Sequence, residues 1–314
     1  MYGEQFNQLV KEIGKETGIK VEELSYGYLL KLTKGKKKHY IIGYKFDLNS
    51  QASGNIAKDK YSTYVILKEE KIPVVEYKAL FHPIRRAKYQ NENTEKEIYE
   101  YFEKNHNRLV IKPNNGQEGI GVSLCKQKEE LIPIIEKLFQ DNNTLVMCPF
   151  YEIETEYRTI YLDGKCMLTY GKKIPYIIGD GIHSIEELIR KNDRIKIEKI
   201  KDETKQEIDF KRVPKLQEKV EILWKHNLSG GAIPEIIQNK ELEKRIHQIV
   251  KQTAKALNLR FASIDVIQTK TGELYVLEVN SGIFMKNFME EYQNGYQIAK
   301  KIYKKAIKNA FHKS

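Results

Sequence analysis

The chain has little from which to build a disulfide framework or a thiolate metal site. Its 314 residues include three cysteines, Cys125, Cys148 and Cys166, odd in number and with no C-x-x-C pair, which argues against both. No apolar run approaches the ~20 residues that cross a bilayer. The first residues lack the basic-then-apolar build of a secretion signal. A soluble, cytoplasmic protein without a membrane partner is expected. Internal repeats and long low-complexity linkers are absent. So are the interleaved aromatics of a single-strand nucleic-acid groove, which leaves a nucleic-acid partner resting on net charge alone and disfavours it.

Hydrophobic residues make up 40% of the chain and charged residues 31%. That apolar share is enough for a core and sets disorder aside. The length fits one large domain or two to three closely packed subdomains. A formal net charge of +11 suits anionic partners such as nucleotides, polyphosphate or an acidic peptide. The lysines are spread along the chain, so a solvated basic surface is the plain alternative.

Periodicity predicts an amphipathic helix over 5–17, with Phe6, Leu9, Val10 and Ile13 on one face. A strand pair follows over 26–33 and 38–46, around the Lys-Gly turn at 34–36. Helices are expected over 58–70, 93–105, 127–140 and 240–257, with strands at 108–112, 122–125 and 144–148. Ser184 and Glu187 are spaced as a capping box that opens a helix over 185–191. The stretch 192–220 resists reading. Residues 261–268 and 273–280 read as a hairpin around Lys270-Thr-Gly272, and a basic amphipathic helix over 290–312 closes the chain.

Four constellations carry chemistry. The first is Val110-Ile-Lys-Pro-Asn-Asn-Gly-Gln-Glu-Gly-Ile-Gly-Val122. A buried strand delivers Lys112 to a loop with Gly116, Gly119 and Gly121, whose N–H groups can turn towards phosphate oxygens. It lacks the G-K-[ST] ending of a Walker loop, and no helix opens at its third glycine as in a dinucleotide fingerprint. An ordinary hairpin loop is the alternative. The second is Asp265 on one strand of the terminal hairpin with Glu278 and Asn280 on the other. Positions i and i+2 share a strand face, and three oxygen-bearing side chains there suit Mg²⁺. A solvent-facing polar stripe is the alternative; with the metal role, Asp265→Asn and Glu278→Gln should retain the fold but need far more Mg²⁺. The third is Glu156-Tyr-Arg158 followed by Lys172-Lys173, where an arginine could hold an anionic intermediate or only a surface ion pair. The fourth, Asn227-Leu-Ser-Gly-Gly231, permits close backbone approach to an anion or is a plain turn.

In their order along the chain these segments resemble the ATP-grasp superfamily, and within it cyanophycin synthetase and the ribosomal-S6-modifying glutamate ligases. Ala57-Lys-Asp-Lys-Tyr-Ser-Thr63 and Ile178-Gly-Asp-Gly-Ile-His-Ser-Ile-Glu-Glu-Leu-Ile189 belong to the same pattern. The resemblance implies an α+β ATP-grasp fold in which two α/β subdomains clasp ATP. It implies a shortened N-terminal α/β region over 1–56 on the substrate side, a middle subdomain over 57–143 with a mobile phosphate lid, and a C-terminal subdomain over 144–314 with the metal site. It assigns Lys60, Lys112 and the loop Asn115, Gly116, Gly119 and Gly121 to the ATP phosphates. Met147, Cys148, Pro149, Phe150 and Glu152 become the adenine hinge, and Glu156 the ribose ligand. Arg158, Lys112 and Asn227 become catalytic, and Asp265, Glu278 and Asn280 hold Mg²⁺, with Mn²⁺ as an alternative.

The implied activity joins a carboxylate to an amine through an acyl phosphate, releasing ADP and phosphate. The substrates would be amino acids or peptides, an acidic one among the options, and a homodimer is left open. A ligase that makes side-chain amides or esters on a precursor peptide, and a nucleotide-binding module without catalysis, are the competing readings. His82, His183 and His226 are then structural. Two departures from the pattern are visible: Cys148-Pro149 stands where the hinge usually carries an acidic residue, and Ser281-Gly-Ile283 replaces a Pro-Gly after the metal asparagine.

Overall fold

A computed structural model describes residues 3–84, 94–116, 119–174, 176–191, 208–222 and 232–312. The first helix, α1 (Glu4–Thr17), buries Phe6, Leu9, Val10 and Ile13 as one stripe and stops at Gly18, whose φ of 65° only glycine adopts freely. Four antiparallel strands follow: β1 (Lys20–Leu24), β2 (Leu29–Lys34), β3 (Lys37–Ile42) and β4 (Lys45–Phe46). The expected pair at 26–33 and 38–46 is therefore the centre of a four-stranded sheet. Strand β2 begins three residues late because Ser25–Gly27 form a turn with Ser25 and Tyr26 at positive φ.

Two helices then share one boundary residue. In α2 (Gln51–Lys58) Ser50 caps the start by accepting from Ser53 N, and in α3 (Lys60–Glu69) Asp59 accepts from Ser62 N. Asp59 thus ends one helix and starts the next, and Lys60 is the first helical residue beyond it.

The second sheet has the order β5-β8-β6-β7. Its strands are β5 (Lys78–Phe81), β6 (Leu109–Pro113), β7 (Ser123–Cys125) and β8 (Thr144–Pro149), with α4 (Glu95–Lys104) and α5 (Lys128–Phe139) packed on one face. Every residue of β6 is buried, because Leu109 and Ile111 meet the helices while Val110 and Lys112 face the other way. The third sheet has the order β13-β10-β9-β14-β15. It is built from β9 (Ile153–Leu162), β10 (Lys165–Lys173), β13 (Ile233–Ile236), β14 (Phe261–Thr269) and β15 (Leu274–Asn280). Between β10 and β13 lie β11 (Tyr176–Ile178), α6 (Ile185–Arg190) and β12 (Lys219–Glu221), with β11 and β12 paired. Since β8 lies between β5 and β6, the passage from second to third sheet falls at residues 150–152, after the boundary expected at 143/144.

Helix α7 (Lys240–Ala256) covers one face of the third sheet. On the other side, Ile160, Leu162, Tyr170 and Phe261 join a core with α1, the first sheet, α8 (Lys286–Glu291) and α9 (Gly295–His312). The single closing helix expected over 290–312 is two, because Asn294 sits at φ 60° and breaks the run. The capping box of Ser184 and Glu187 is present, as is the hairpin turn at 270–272, where Gly272 has φ 87°.

Candidate active site

A cleft of about 910 Å³ opens between the second and third sheets and is closed at one end by the first. That is the upper part of the ~300–1,000 Å³ range of small-molecule sites, so it has room for more than one ligand. Nine basic residues line it against four acidic ones, a surplus that favours a polyanion.

Lys60 and Lys112 enter from the two sides of the glycine loop. The Lys60 ammonium donates to Gly116 O at 2.8 Å and Asn114 O at 3.4 Å, and lies 4.0 Å from Glu278 Oε2. Its position is set by a latch. Asn114 Nδ2 donates to Asp59 Oδ2 at 2.5 Å, and Tyr61 N donates to Asn114 Oδ1 at 3.0 Å. Burial pushes the Lys60 ammonium down to about 8, with Glu278 opposing and Lys112 adding to the shift. Lys112 rises from β6 with its ammonium 4.9 Å from the centre of the Tyr77 ring, which Tyr77 Oη anchors by donating to Leu277 O at 2.9 Å.

The loop's described ends are Asn114–Gly116 and Gly119–Gly121. Gly119 and Gly121 have φ near 70°, and a Cβ on Gly121 would stand 3.0 Å from Pro113 Cγ. A branched side chain there is both strained and crowded.

On the third sheet the charges form a network. Asp265 and Arg158 are directly opposite on β14 and β9, as Asp265 and Glu278 are on β14 and β15. Arg158 grips Asp265 with both ends of its fork, Nε to Oδ1 at 2.7 Å and Nη2 to Oδ2 at 2.6 Å. Lys172 donates to Asp265 Oδ2 at 3.0 Å and also to Glu156 Oε1. Burial opposes ionisation of Asp265, but Arg158 and Lys172 together outweigh it and hold the carboxyl well below the usual range. Glu156 goes the other way: burial, with Asp265 adding, pushes it up to about 7 despite Lys172. Glu278 and Asn280 face the cleft side by side, Asn280 Nδ2 donating to Glu278 Oε1 at 3.3 Å.

At the far end, the chain between β8 and β9 forms an apolar slot with Val75, Val110, Ile267 and Leu277. Arg108 lies 4.0 Å from the centre of the Phe150 ring and reaches Glu152 Oε1 at 3.4 Å.

The cleft therefore collects Lys60, Lys112, Gly116, Gly119, Cys148, Pro149, Phe150, Glu152, Glu156, Arg158, Glu278 and Asn280. Four expected residues fall outside its wall. Met147 alternates with Cys148 and turns its side chain into the helix-side core. Asn115 is exposed beside the cleft, Gly121 lies against Pro113 and Leu138, and Asp265 is sealed beneath Arg158 and Lys172. Asn227, Gly230, Gly231, His226 and Glu118 lie outside the described residues. The Gly179–Ile185 motif forms the turn into α6, where Asp180 accepts from the N–H groups of Ile182 and His183, and it does not line the cleft. Sequence reasoning missed Asp59, Asn114 and Tyr77. Their partners are Lys60 and Lys112, but only the Asp-Lys adjacency at 59–60 hinted at it.

Comparison with known proteins places this geometry. Residues 213–306 match the RimK-like ATP-grasp domain. The chain is 25% identical over 273 residues to the glutathione biosynthesis bifunctional protein GshAB of Listeria monocytogenes, covering 80% of this chain and 34% of that protein. Against the Streptococcus agalactiae GshAB it is 29% identical over 99 residues, 30% of this chain and 13% of the relative. The chain thus spans about a third or less of these curated relatives. Among solved structures, the bifunctional glutathione synthetase of Pasteurella multocida superposes with a TM-score of 0.56 at 18% identity, over 94% of this chain and 43% of the other. The D-alanine–D-alanine ligase of Bacillus anthracis gives 0.50 at 21% identity, over 76% and 62%. The chain thus shares the fold of these two solved structures, with two antiparallel sheets facing each other across a lysine-lined cleft, and its residues 213–306 are similar to the RimK-like ATP-grasp domain.

Proposed function

We propose that the chain is an ATP-dependent carboxylate–amine ligase that works through an acyl phosphate. What supports the reading is that Lys60, Lys112, Arg158 and Lys172 line one cleft together with Glu278 and Asn280, with an apolar slot at its end for a base. The names of its relatives, for glutathione biosynthesis and D-alanine–D-alanine ligation, point the same way.

In this reading adenine lies in the slot at 148–153 and the triphosphate runs towards the lysines. A substrate carboxylate oxygen attacks the γ-phosphorus, the bond to ADP breaks, and Lys60 and Lys112 offset the charge that this alignment gathers. A neutral amine then attacks the acyl carbon. The C–O bond to phosphate breaks, the nitrogen loses a proton, and an amide and phosphate remain. No enzyme nucleophile is required. Burial pushes the Cys148 thiol up, which suits a packing role.

The donor set fits a hard divalent cation. Glu278 and Asn280 present oxygens to the cleft, whereas Asp265, opposite Glu278 on the neighbouring strand, has both oxygens engaged by Arg158 and Lys172. Among the described residues no three His, Cys, Asp or Glu side chains cluster as a closed metal site, so phosphate oxygens and water would complete the shell. Bound there, Mg²⁺ would neutralise and orient the phosphates. Glu278→Gln should keep the thermal transition and raise the Mg²⁺ needed for half-maximal ADP formation by about tenfold or more. An unchanged Mg²⁺ titration would remove Glu278 from the metal site.

The test of the function itself is ADP release over a matrix of amino acids and short peptides, with mass detection of the product. Nucleotide binding without ADP release from any pair would favour the non-catalytic module instead.

A further inference from the structure

The cleft does not end at the phosphates. Beyond Arg158 and Lys172 it continues to a wall made by the β3–β4 corner and the segment after β15. The two pieces are stitched together: Ile283 N donates to Tyr44 O at 3.0 Å, and Lys45 pairs with Gly282 in an isolated antiparallel bridge.

This wall is apolar where alternation calls for polar residues. On β3 the inward residue is Ile41, fully buried, and the outward positions are Lys38, Tyr40 and Ile42. Directly opposite residues share a face, so the outer face of the sheet can be read row by row. One row holds Glu22, Lys31 and Tyr40, as a solvated face should. The next, at the cleft end, holds Leu24, Leu29 and Ile42, with Ile42 48% exposed. Facing it, Phe284 is 38% exposed although it stacks on Tyr44, ring centres 4.1 Å apart and planes at 25°. Ile42, Tyr44 and Phe284 all line the cleft. Exposed large apolar groups gathered in a cavity, rather than scattered, mark a surface that a ligand covers. Lys45 borders the wall and also lines the cleft, and no ion pair is recorded for it among the described residues.

We propose that this end of the cleft is the substrate pocket and that it selects an amino acid or short peptide with an aromatic or bulky apolar side chain and a free carboxylate. The side chain lies against Ile42 and the Tyr44–Phe284 stack, and the carboxylate faces Lys45. The inference rests on the ligase reading and goes further: a purely apolar nucleotide slot would place its aliphatic surface at 148–153, not at the opposite end of the phosphates. An acidic substrate, which net charge alone allows, leaves the apolar row uncovered.

The test uses the whole chain saturated with Mg²⁺ and a non-hydrolysable ATP analogue, so that the adenine slot is filled, and titrates dipeptides by calorimetry. Ala-Phe should bind at least about tenfold more tightly than Ala-Ala or Ala-Glu, the scale expected for covering one large apolar side chain. In Phe284→Ala with Ile42→Thr that preference should fall below about threefold while the analogue binds as before. Both positions are partly exposed, so the variant should fold, and an unchanged thermal transition checks it. Amidating the Ala-Phe carboxylate should weaken binding to the wild type but not to Lys45→Ala. Equal affinities for the three dipeptides, absence of Ala-Phe binding, or a preference that survives the double variant would overturn the proposal. Failure of the ATP analogue to bind the wild type would overturn the ligase reading itself, and its own titration reports that separately.

Discussion

Lys112→Ala is expected to slow ADP formation by about two to three orders of magnitude, and Lys34→Ala to leave it unchanged. Removing a preorganised stabiliser of developing charge costs ~3–4 kcal/mol in the transition state, and each 1.36 kcal/mol is a factor of ten. Lys112 meets the condition of preorganisation. It stands on a strand buried along its whole length, its ammonium is fixed over the Tyr77 ring, and Tyr77 is itself tied to β15. Little reorganisation would be needed when the phosphates arrive. Lys34, by contrast, is the exposed last residue of β2, and its ammonium donates to Thr17 O at 3.4 Å. Because Lys112 also fills space, Lys112→Met separates the effects. It keeps the stem against its neighbours and removes the charge, so it should keep the wild-type unfolding curve and show the same rate loss. Steady-state ADP release with parallel thermal melts measures both. Equal losses in Lys112→Met and Lys34→Ala would detach Lys112 from the phosphates.

The parts of this site that could be read from the sequence were those built by local rules. Strand alternation put Glu278 and Asn280 on one face, and both do face the cleft. The turn at 270–272 set the hairpin that brings Asp265 opposite Glu278. The Ser184–Glu187 box marked a helix start. What was hidden depends on contacts distant in sequence. The Asp59–Asn114 latch joins residues 55 apart, and the Arg158–Asp265 pair residues 107 apart. Register across the third sheet decides that Arg158 meets Asp265, and register is set by a buried hydrophobic pattern shared among strands, not by either residue. Helix α2 was missed for a different reason. Gly54 lowers its helix propensity, and what holds it is packing against β15, with Ser281 Oγ donating to Gly54 O at 3.3 Å. The wall at Ile42 and Phe284 was also invisible, because an outward isoleucine looks like a strand residue until the sheet's neighbours are known.

Asp265→Asn should destabilise the protein by about 3 kcal/mol or more, and Glu278→Gln by less than about 1 kcal/mol, although sequence reading treats the two carboxylates as equivalent metal ligands. The difference follows from their surroundings. Asp265 is fully buried and accepts three charge-assisted bonds, two from Arg158 and one from Lys172. An amide in its place offers one acceptor and presents a donor where a second acceptor is needed, which leaves a buried cation short of a partner. Breaking one side of a buried ion pair costs ~3–5 kcal/mol, much of it the penalty of the charge left behind. Two features hold the cost towards the lower end. The Arg158 side chain is 22% exposed and can recruit water, and Lys172 keeps Glu156. Glu278 has neither constraint: it is partly exposed, and its nearest cation, Lys60, is 4.0 Å away. The surroundings therefore separate two substitutions that strand alternation alone treats alike: a small loss is expected for Glu278→Gln and a large one for Asp265→Asn. Denaturant unfolding of the two variants measures the gap directly. If the loss in Asp265→Asn comes from the unpaired guanidinium, adding Arg158→Gln should restore part of the stability, since replacing both members of a buried pair is far less costly than removing one. Matching unfolding curves for Asp265→Asn and Glu278→Gln, or no recovery in the double variant, would show that Asp265 does not hold the third sheet's charges together and would return it to the role of a free ligand for the metal.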